Sequence, residues 1–275
     1  LGFAAGSMFL VLEARSRAPM IDPRLFRLRG FSAGSLSNTV QFFCAFGFFF
    51  TSMQYLQFVV GFSPLKAAVA VLPMSVAVIP IARQAPVLAA RVGFHRVGST
   101  GLVLMAVSLL MMSRLTVDLN YWLLASALVV FGAGMGFAGA PATTAITGSL
   151  PRSKQGVASA MNDTTREVGS ALGIAVLGSV LNTTYRSGVE SATDQLPAEA
   201  AEAARSSIAA AAEIAGQLGP AGANLRQVAN ASFVDGFSDS LLIGAVCLVA
   251  AAVFVFLRAR PRPDPEPASQ LPATD

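Results

Sequence analysis

The chain has 275 residues, of which 54% are hydrophobic and 12% charged, and its mean hydropathy is +0.61. About 25% of the residues in a soluble globular domain are charged, so this composition excludes an ordinary soluble enzyme and indicates a protein surrounded mainly by lipid. The net charge is +4, but the basic residues lie in short clusters between apolar segments, which argues against nucleic-acid binding.

The sequence offers no basis for a metal centre or a catalytic site. Cys44 and Cys247 lie inside apolar segments, and His95 is the single histidine, so no Cys/His metal cluster can be assembled. An intramembrane hydrolase would need a nucleophile with a base, or two facing acids, within the membrane. We therefore predict no catalytic residue, no metal and no cofactor.

Membrane spans dominate the chain. Residues 1–12 are apolar but too short to cross a bilayer, so we expect 1–13 to be the end of a helix that starts upstream, followed by a linker at 14–30. Segments long enough to span follow at 31–53, 65–82, 97–112, 122–146, a stretch ending near Tyr185, and 237–257. These segments predict a six-helix transmembrane bundle over residues 31–257.

Basic residues fall unequally on the two sides of these spans. Fourteen lie in one set of alternate loops, namely Arg15, Arg17, Arg24, Arg27, Arg29, Arg83, Arg91, Arg96, Arg152, Lys154, Arg166, Arg258, Arg260 and Arg262. Five lie on the other side: Lys66, Arg114, Arg186, Arg205 and Arg226. By the positive-inside rule the first set faces the cytoplasm, so the linker and the C-terminus are predicted to be cytoplasmic.

Two polar regions interrupt the apolar pattern. Residues 186–235 form a long insertion that we place outside the cell, and its Ala/Glu-rich section 197–218 predicts a helical cap on the bundle. Residues 258–275 are rich in Pro and polar side chains and predict a disordered cytoplasmic tail.

A basic loop is predicted at residues 82–96. Within it, Arg91 and Gly93 are separated by one residue and followed by a basic end. This spacing resembles the loop signature of the major facilitator superfamily, although Pro86 replaces its first Gly and Ala90 its Asp. A tight turn at Gly93 leaves Arg91 free to meet helix-end carbonyls or acidic groups. The alternative is a basic loop that only sets topology.

Small residues mark the fourth span. Gly132 and Gly136 are one turn apart, so a neighbouring helix can approach closely, and Pro141 permits a kink. This pattern suits a helix that rocks against its neighbours, but static packing explains it equally.

The fifth span carries Asn162, Asp163, Arg166 and Glu167. If its helix begins near Lys154, these residues form two adjacent rows on one sector, about two to three turns inside. An ionisable group at mid-membrane costs about 2.5–3.5 kcal/mol on insertion scales and usually marks a pathway or a paired site. The alternative is a helix that starts near Glu167 and leaves the charges in the preceding loop.

The first span has a polar line of its own. At 100° per residue, Asn38 and Gln41 fall on one sector with several small residues, so they can face the interior of the bundle. We therefore include both amides in the predicted pathway.

Segments 18–27 and 61–68, the Gly-rich fourth span and the polar fifth span together look like the fourteen-helix drug:proton antiporters of the EmrB/QacA type. The resemblance implies an all-α integral membrane fold, the six-helix C-terminal half of a major-facilitator bundle plus the end of a preceding helix. It also implies a central cavity that opens alternately to each side of the inner (plasma) membrane.

The function that this resemblance implies is proton-driven export of hydrophobic or cationic small molecules, without a cofactor. The partners would be lipid, substrate, protons and a missing N-terminal half. Asp163 and Glu167 match the acidic positions that are candidates for proton or cation handling in such exporters. A non-transporting structural membrane subunit, or an inactive fragment, is the alternative.

Overall fold

The computed structural model describes Met8 and residues 23–260, and this part of the chain is helical apart from short connections. Its α-helices are α1 (Arg29–Gln54), α2 (Pro64–Ala70), α3 (Pro73–Val92), α4 (Phe94–Met112), α5 (Tyr121–Gly148), α6 (Gln155–Thr193), α7 (Ala198–Ser206), α8 (Ile208–Gln217) and α9 (Ala223–Arg258). The predictions for residues 1–13, most of the linker and the tail beyond Arg260 lie outside the described residues.

Six helices, α1, α3, α4, α5, α6 and α9, are long and apolar enough to cross a membrane. The predicted all-α, six-helix half-bundle is therefore confirmed for the described part of the chain. A π-helical turn, Tyr55–Val59, continues α1. Asn120 caps α5, because its side-chain oxygen accepts a hydrogen bond from the Leu123 N–H at 3.2 Å.

The second predicted span is divided in two. The Ser63 side chain caps α2 by accepting from the Lys66 N–H, and a separate helix, α3, begins at Pro73. Proline has no N–H and its φ is already set for the first helical turn, so Pro64 and Pro73 each favour a new start over continuation of one helix. The membrane-spanning helix therefore begins later than the hydropathy pattern predicted.

The predicted loop 82–96 is mostly helix, which corrects the sequence interpretation. α3 runs through Pro80 and Pro86 to Val92, and only Gly93 separates it from α4. Transmembrane helices tolerate internal proline where neighbouring groups satisfy the freed carbonyls, and residues 82–92 are otherwise good helix formers. Gly93 has φ 93°, a backbone conformation that favours glycine, and it makes the turn.

The helices on either side of the polar insertion 186–235 extend into it, since α6 continues to Thr193 and α9 begins at Ala223. Between them lie α7 and α8, separated by the extended residue Ser207. The Tyr185 hydroxyl donates to the Ala204 carbonyl at 2.8 Å and fixes α7 against α6. The predicted helical section is thus two short helices.

Two triplets of helices form the bundle, α1–α3–α4 and α5–α6–α9. The second helix of each triplet packs on the first helix of the other: α3 on α5, and α6 on α1. The third helices, α4 and α9, pack on each other, and α1 meets α5. Many transporter folds are built from internal repeats of three helices. Buried aromatic rings fill the centre, including Phe48 against Phe131 with ring centroids 5.2 Å apart.

One end of the bundle collects the basic residues. A Cβ at Gly30, near the start of α1, would lie 2.6 Å from the Ser149 hydroxyl at the end of α5. The rings of His95 and Phe256, at the α4 start and near the α9 end, are 5.8 Å apart. This basic end carries Arg27, Arg29, Arg91, Arg96, Arg152, Lys154, Arg258 and Arg260. Trp122, the single tryptophan, is 82% exposed at the opposite end.

Candidate transport pathway

A buried polar network joins α1, α5 and α6 at Asn162. The Asn162 Oδ1 atom accepts from the Asn38 amide at 2.8 Å and from the Thr143 hydroxyl at 3.1 Å. Asn38 is fully buried and Asn162 nearly so. The Arg166 Nη2 atom in turn donates to the Thr143 hydroxyl at 3.1 Å. The structure thus brings together three of the predicted residues and adds Thr143, which the sequence interpretation missed.

Gln41 lies near this network and makes a different contact. Its Nε2 atom donates to the Met135 carbonyl of α5 at 3.1 Å, and its Oε1 atom has no hydrogen-bond partner among the described residues. The Asn38 Oδ1 atom likewise has no partner there. The α1 amides therefore link α1 to its neighbours and retain two buried acceptor positions.

Arg166 is half-buried and contacts an aromatic ring. Its guanidinium lies 5.1 Å from the centroid of the Phe42 ring, within the range of a cation–π interaction. The Arg166 Nε atom is buried without a partner in the described chain. The guanidinium is therefore held on two sides while one donor position remains open.

Asp163 and Glu167 lie one turn apart on α6 and are exposed on the surface of this half-bundle. The helix begins at Gln155, so the alternative start near Glu167 is wrong. At 1.5 Å per residue the two acids lie about 12 and 18 Å along α6. The Asp163 Oδ1 atom accepts from the Asn162 amide at 3.3 Å, which connects the exposed carboxylate to the buried network.

The fourth-span glycines make the close approach that their spacing predicted. A Cβ at Gly132 would collide with the Met74 carbonyl of α3, and one at Gly136 would lie 2.8 Å from the Ile81 side chain. Larger residues would therefore force α3 away from α5. Pro141 is buried within α5, which remains one continuous helix.

No ion pair joins Arg91 to another described residue, so its contact with helix-end carbonyls or acidic groups stays a prediction. Arg91 is exposed near the end of α3 and borders a groove of about 400 Å³ with Arg83, Gln84 and Phe137. Arg83 was assigned to a loop, but it lies in the middle of α3 and is exposed. Arg83 thus lies midway along a helix long enough to span a membrane, a position where an arginine is costly, so we add it to the candidate functional residues.

The described residues contain no group of three or more His, Cys, Asp and Glu side chains that could hold a metal ion. Cys44 and Cys247 are free thiols. The polar groups gathered at α6 are hydrogen-bond donors, acceptors and ionisable side chains, which suit the binding and release of protons or small ions.

Residues 7–174 match the family model of the major facilitator superfamily. The chain belongs to this superfamily. It is 35% identical over 254 residues to the multidrug efflux pump LfrA of Mycolicibacterium smegmatis, an alignment that covers 92% of this chain and 50% of LfrA.

Other relatives in the superfamily carry similar names. The chain is 31% identical over 251 residues to the methyl viologen resistance protein SmvA of Salmonella typhimurium, covering 90% of this chain and 50% of SmvA. It is 32% identical over 273 residues to the tetracenomycin C resistance and export protein of Streptomyces glaucescens, an alignment that covers 92% of this chain and 49% of that protein. The chain thus spans about half the length of these relatives and is a multi-pass membrane protein of a transporter family.

Proposed function

We propose that this chain is the C-terminal part of a fourteen-helix, proton-coupled exporter of the EmrB/QacA type that moves hydrophobic or cationic compounds by alternating access. The observation that carries this proposal is the position of Asp163 and Glu167, exposed on α6 beside the buried Asn38–Asn162–Thr143–Arg166 network. The efflux and resistance names of the similar proteins support the choice of substrate class.

The architecture supports an alternating-access mechanism. A half-bundle that matches about half of each relative supplies one wall of a central cavity, and the missing N-terminal half supplies the other. In this arrangement residues 31–257 are the transmembrane bundle and 1–13 end a preceding helix. Small-residue contacts at Gly132 and Gly136 allow α3 to move against α5, and Arg91, Gly93 and Pro141 are the further conformational elements.

The chemistry at α6 supports coupling to protons. A carboxylate can bind either a proton or a cationic substrate, so the two compete for one site. Arg166 is adjacent to Glu167 and three residues from Asp163 on α6, so the site places one cation beside the two acids. The network holds Asn162 and Arg166 in place while the Asp163 and Glu167 carboxylates face the cavity.

Substrate-induced proton release from the full-length protein tests the proposal. Asp163→Asn and Glu167→Gln preserve approximate size and remove the charge, and we expect at least one to abolish release and efflux. Glu190→Gln is the matched control, since Glu190 is an exposed acid near the other end of the same helix. Normal release and efflux in both single variants and the double variant would favour the non-transporting structural role.

Orientation has a separate test. The basic end is placed in the cytoplasm by the positive-inside rule, so the C-terminus is cytoplasmic in this proposal. In a background without Cys44 and Cys247, a cysteine at exposed Ser206 should react with an impermeant thiol reagent added outside, and a cysteine at Ser153 should not. The reverse labelling would overturn the orientation.

A further inference from the structure

A cavity that the Asp163 and Glu167 side chains do not line opens on the flank of the basic end. It has a volume of about 710 Å³ and lies between α1, α6 and α9. Its lining is mainly apolar with several hydroxyls, and it comprises Phe26, Ser32, Ser35, Leu36, Thr39, Met161, Thr164, Thr165, Val168, Phe254 and Arg258. None of these described lining residues is acidic.

Arg258 is the one charged group in this lining, and it is positioned by two contacts. Its Nε atom donates to the Ser32 hydroxyl at 3.4 Å, and its Nη2 atom donates to the Arg27 carbonyl at 3.1 Å. The Nη1 atom has no partner within the described chain, so the guanidinium can donate to a ligand without breaking either contact. Arg29 and Arg260 lie beside this position, since Arg29 Nη1 donates to the Arg260 carbonyl at 3.3 Å.

Ser35 provides a second, independent sign of a polar ligand. Its side chain lines the cavity and is only 3% exposed, yet its hydroxyl has no hydrogen-bond partner among the described residues. An unpaired buried hydroxyl costs free energy, and a polar group in the cavity would satisfy it. Arg258 and Ser35 therefore offer donors from different helices to one ligand.

The rim of the cavity is apolar and exposed. Phe26, Val168 and Phe254 are 41%, 47% and 40% exposed, and the latter two lie on helices long enough to span the membrane. The site thus combines a cation and hydroxyls with an apolar surface on the flank of the bundle. A cationic substrate would be repelled by the arginines, whereas a phosphate attached to a hydrocarbon chain fits both parts.

We propose that this flank cavity binds an anionic phospholipid, with its phosphate at Arg258 and Ser35 and an acyl chain along Leu36, Val168 and Phe254. Basic clefts between transmembrane helices hold anionic headgroups in this way. Because Arg258 also ties the end of α9 to Ser32 of α1 and to the turn before it, the bound lipid fastens the basic ends of these helices.

Native mass spectrometry of the delipidated full-length protein, titrated with phosphatidylglycerol, tests the site. Arg258→Gln should lower the affinity about fivefold, the factor that corresponds to about 1 kcal/mol for one arginine at an anionic lipid surface. Arg258→Lys should keep most of the affinity. Arg114→Gln is the control, since Arg114 is exposed at the opposite end, and it should change nothing.

A second variant tests the apolar part without altering charge. Val168→Trp narrows the exposed rim and should weaken phosphatidylglycerol binding while the protein stays folded. Phosphatidylcholine should bind more weakly than phosphatidylglycerol, and glycerol phosphate, which lacks the acyl chains, should not compete. The proposal would be overturned if a folded Arg258→Gln or Val168→Trp variant bound phosphatidylglycerol with unchanged affinity. Equal affinity for the two lipids would also overturn it.

The identity of the occupant is tested in native membranes. A photo-reactive benzoylphenylalanine at Leu36 should crosslink to phospholipid, which adds a lipid mass to the α1 peptide. A crosslink to residues 1–22 of this chain, or to the N-terminal half of the transporter, would show that protein covers the cavity and would overturn the assignment to lipid.

Discussion

α3 and α6 occupy equivalent places in the two triplets, yet they differ in charge and in how they are held. α6 carries exposed acids and buried Asn162, whereas α3 carries exposed Arg83 and Arg91 and buries few residues, among them Ala77 and Ala85. α6 brings its own glycines to the contact with α1, while α3 relies on glycines of α5. One repeated architecture thus supplies a firmly anchored acidic helix and a more loosely held basic helix.

The largest expected effect comes from the α6 glycines. A Cβ at Gly173 would collide with the Phe43 carbonyl, so Gly173→Leu should push α6 from α1 and lower the free energy of unfolding by about 3 kcal/mol or more. Gly156→Leu is the matched control on the same helix, because a Cβ there meets nothing within 4 Å. It should leave stability unchanged or raise it by up to about 0.8 kcal/mol. Denaturant titration in mixed micelles measures both, and equal losses would contradict the packing difference.

A smaller effect is expected from the polar network that anchors α6. Asn162→Ala removes the oxygen that accepts hydrogen bonds from Asn38 and Thr143. Interhelical hydrogen bonds in membranes contribute about 1–2 kcal/mol in model systems, so we expect the free energy of unfolding to fall by about that amount. Gln84→Ala on α3 removes an exposed amide and should change stability by less than about 0.5 kcal/mol. The same unfolding titration applies. If Gln84→Ala cost as much as Asn162→Ala, α3 would be as firmly anchored as α6.

The smallest expected effect on stability comes from replacing an arginine by lysine, compared at one position on α6 and one on α3. Arg166→Lys loses the planar group above Phe42 and its directed bond to Thr143, so we expect a loss of about 0.5–1 kcal/mol. Arg83→Lys, on the exposed side of α3, should change stability by less than that. Both variants keep the charge, so thermal unfolding isolates the contribution of guanidinium geometry. A larger loss at Arg83 would place that residue in a contact of its own.

Hydropathy was sufficient to predict the six spans, because crossing a bilayer demands length and apolarity that few other structures share. It failed at helix ends, since Thr193 and Ala223 lie in polar sequence where helix propensity and packing against α7 and α8 extend the helices. Arg83 was misplaced because the apolar pattern ends near residue 82, whereas the helix continues through Pro86 to Val92, as membrane helices tolerate internal proline.

The candidate site was likewise predictable from the sequence only in part. The rows formed by Asn162, Asp163, Arg166 and Glu167 followed from helical spacing alone, because residues one turn apart share a face. Thr143 did not, since its contact with Asn162 depends on how α5 and α6 are rotated toward each other. A polar residue just after Pro141 was the available signal, but threonines often bond to their own helix backbone.

The position of Trp122 gives the protein an intrinsic optical probe. Trp122 is the single tryptophan of the chain and is 82% exposed at the start of α5. Its indole emission therefore reports on one site, at the end opposite the basic cluster. Tryptophan favours the membrane–water interface, so lipids brominated at different chain depths will quench it to different degrees. Because Trp122 is the single tryptophan of these 275 residues, fluorescence of this chain can measure how deeply this end of the bundle sits in a bilayer.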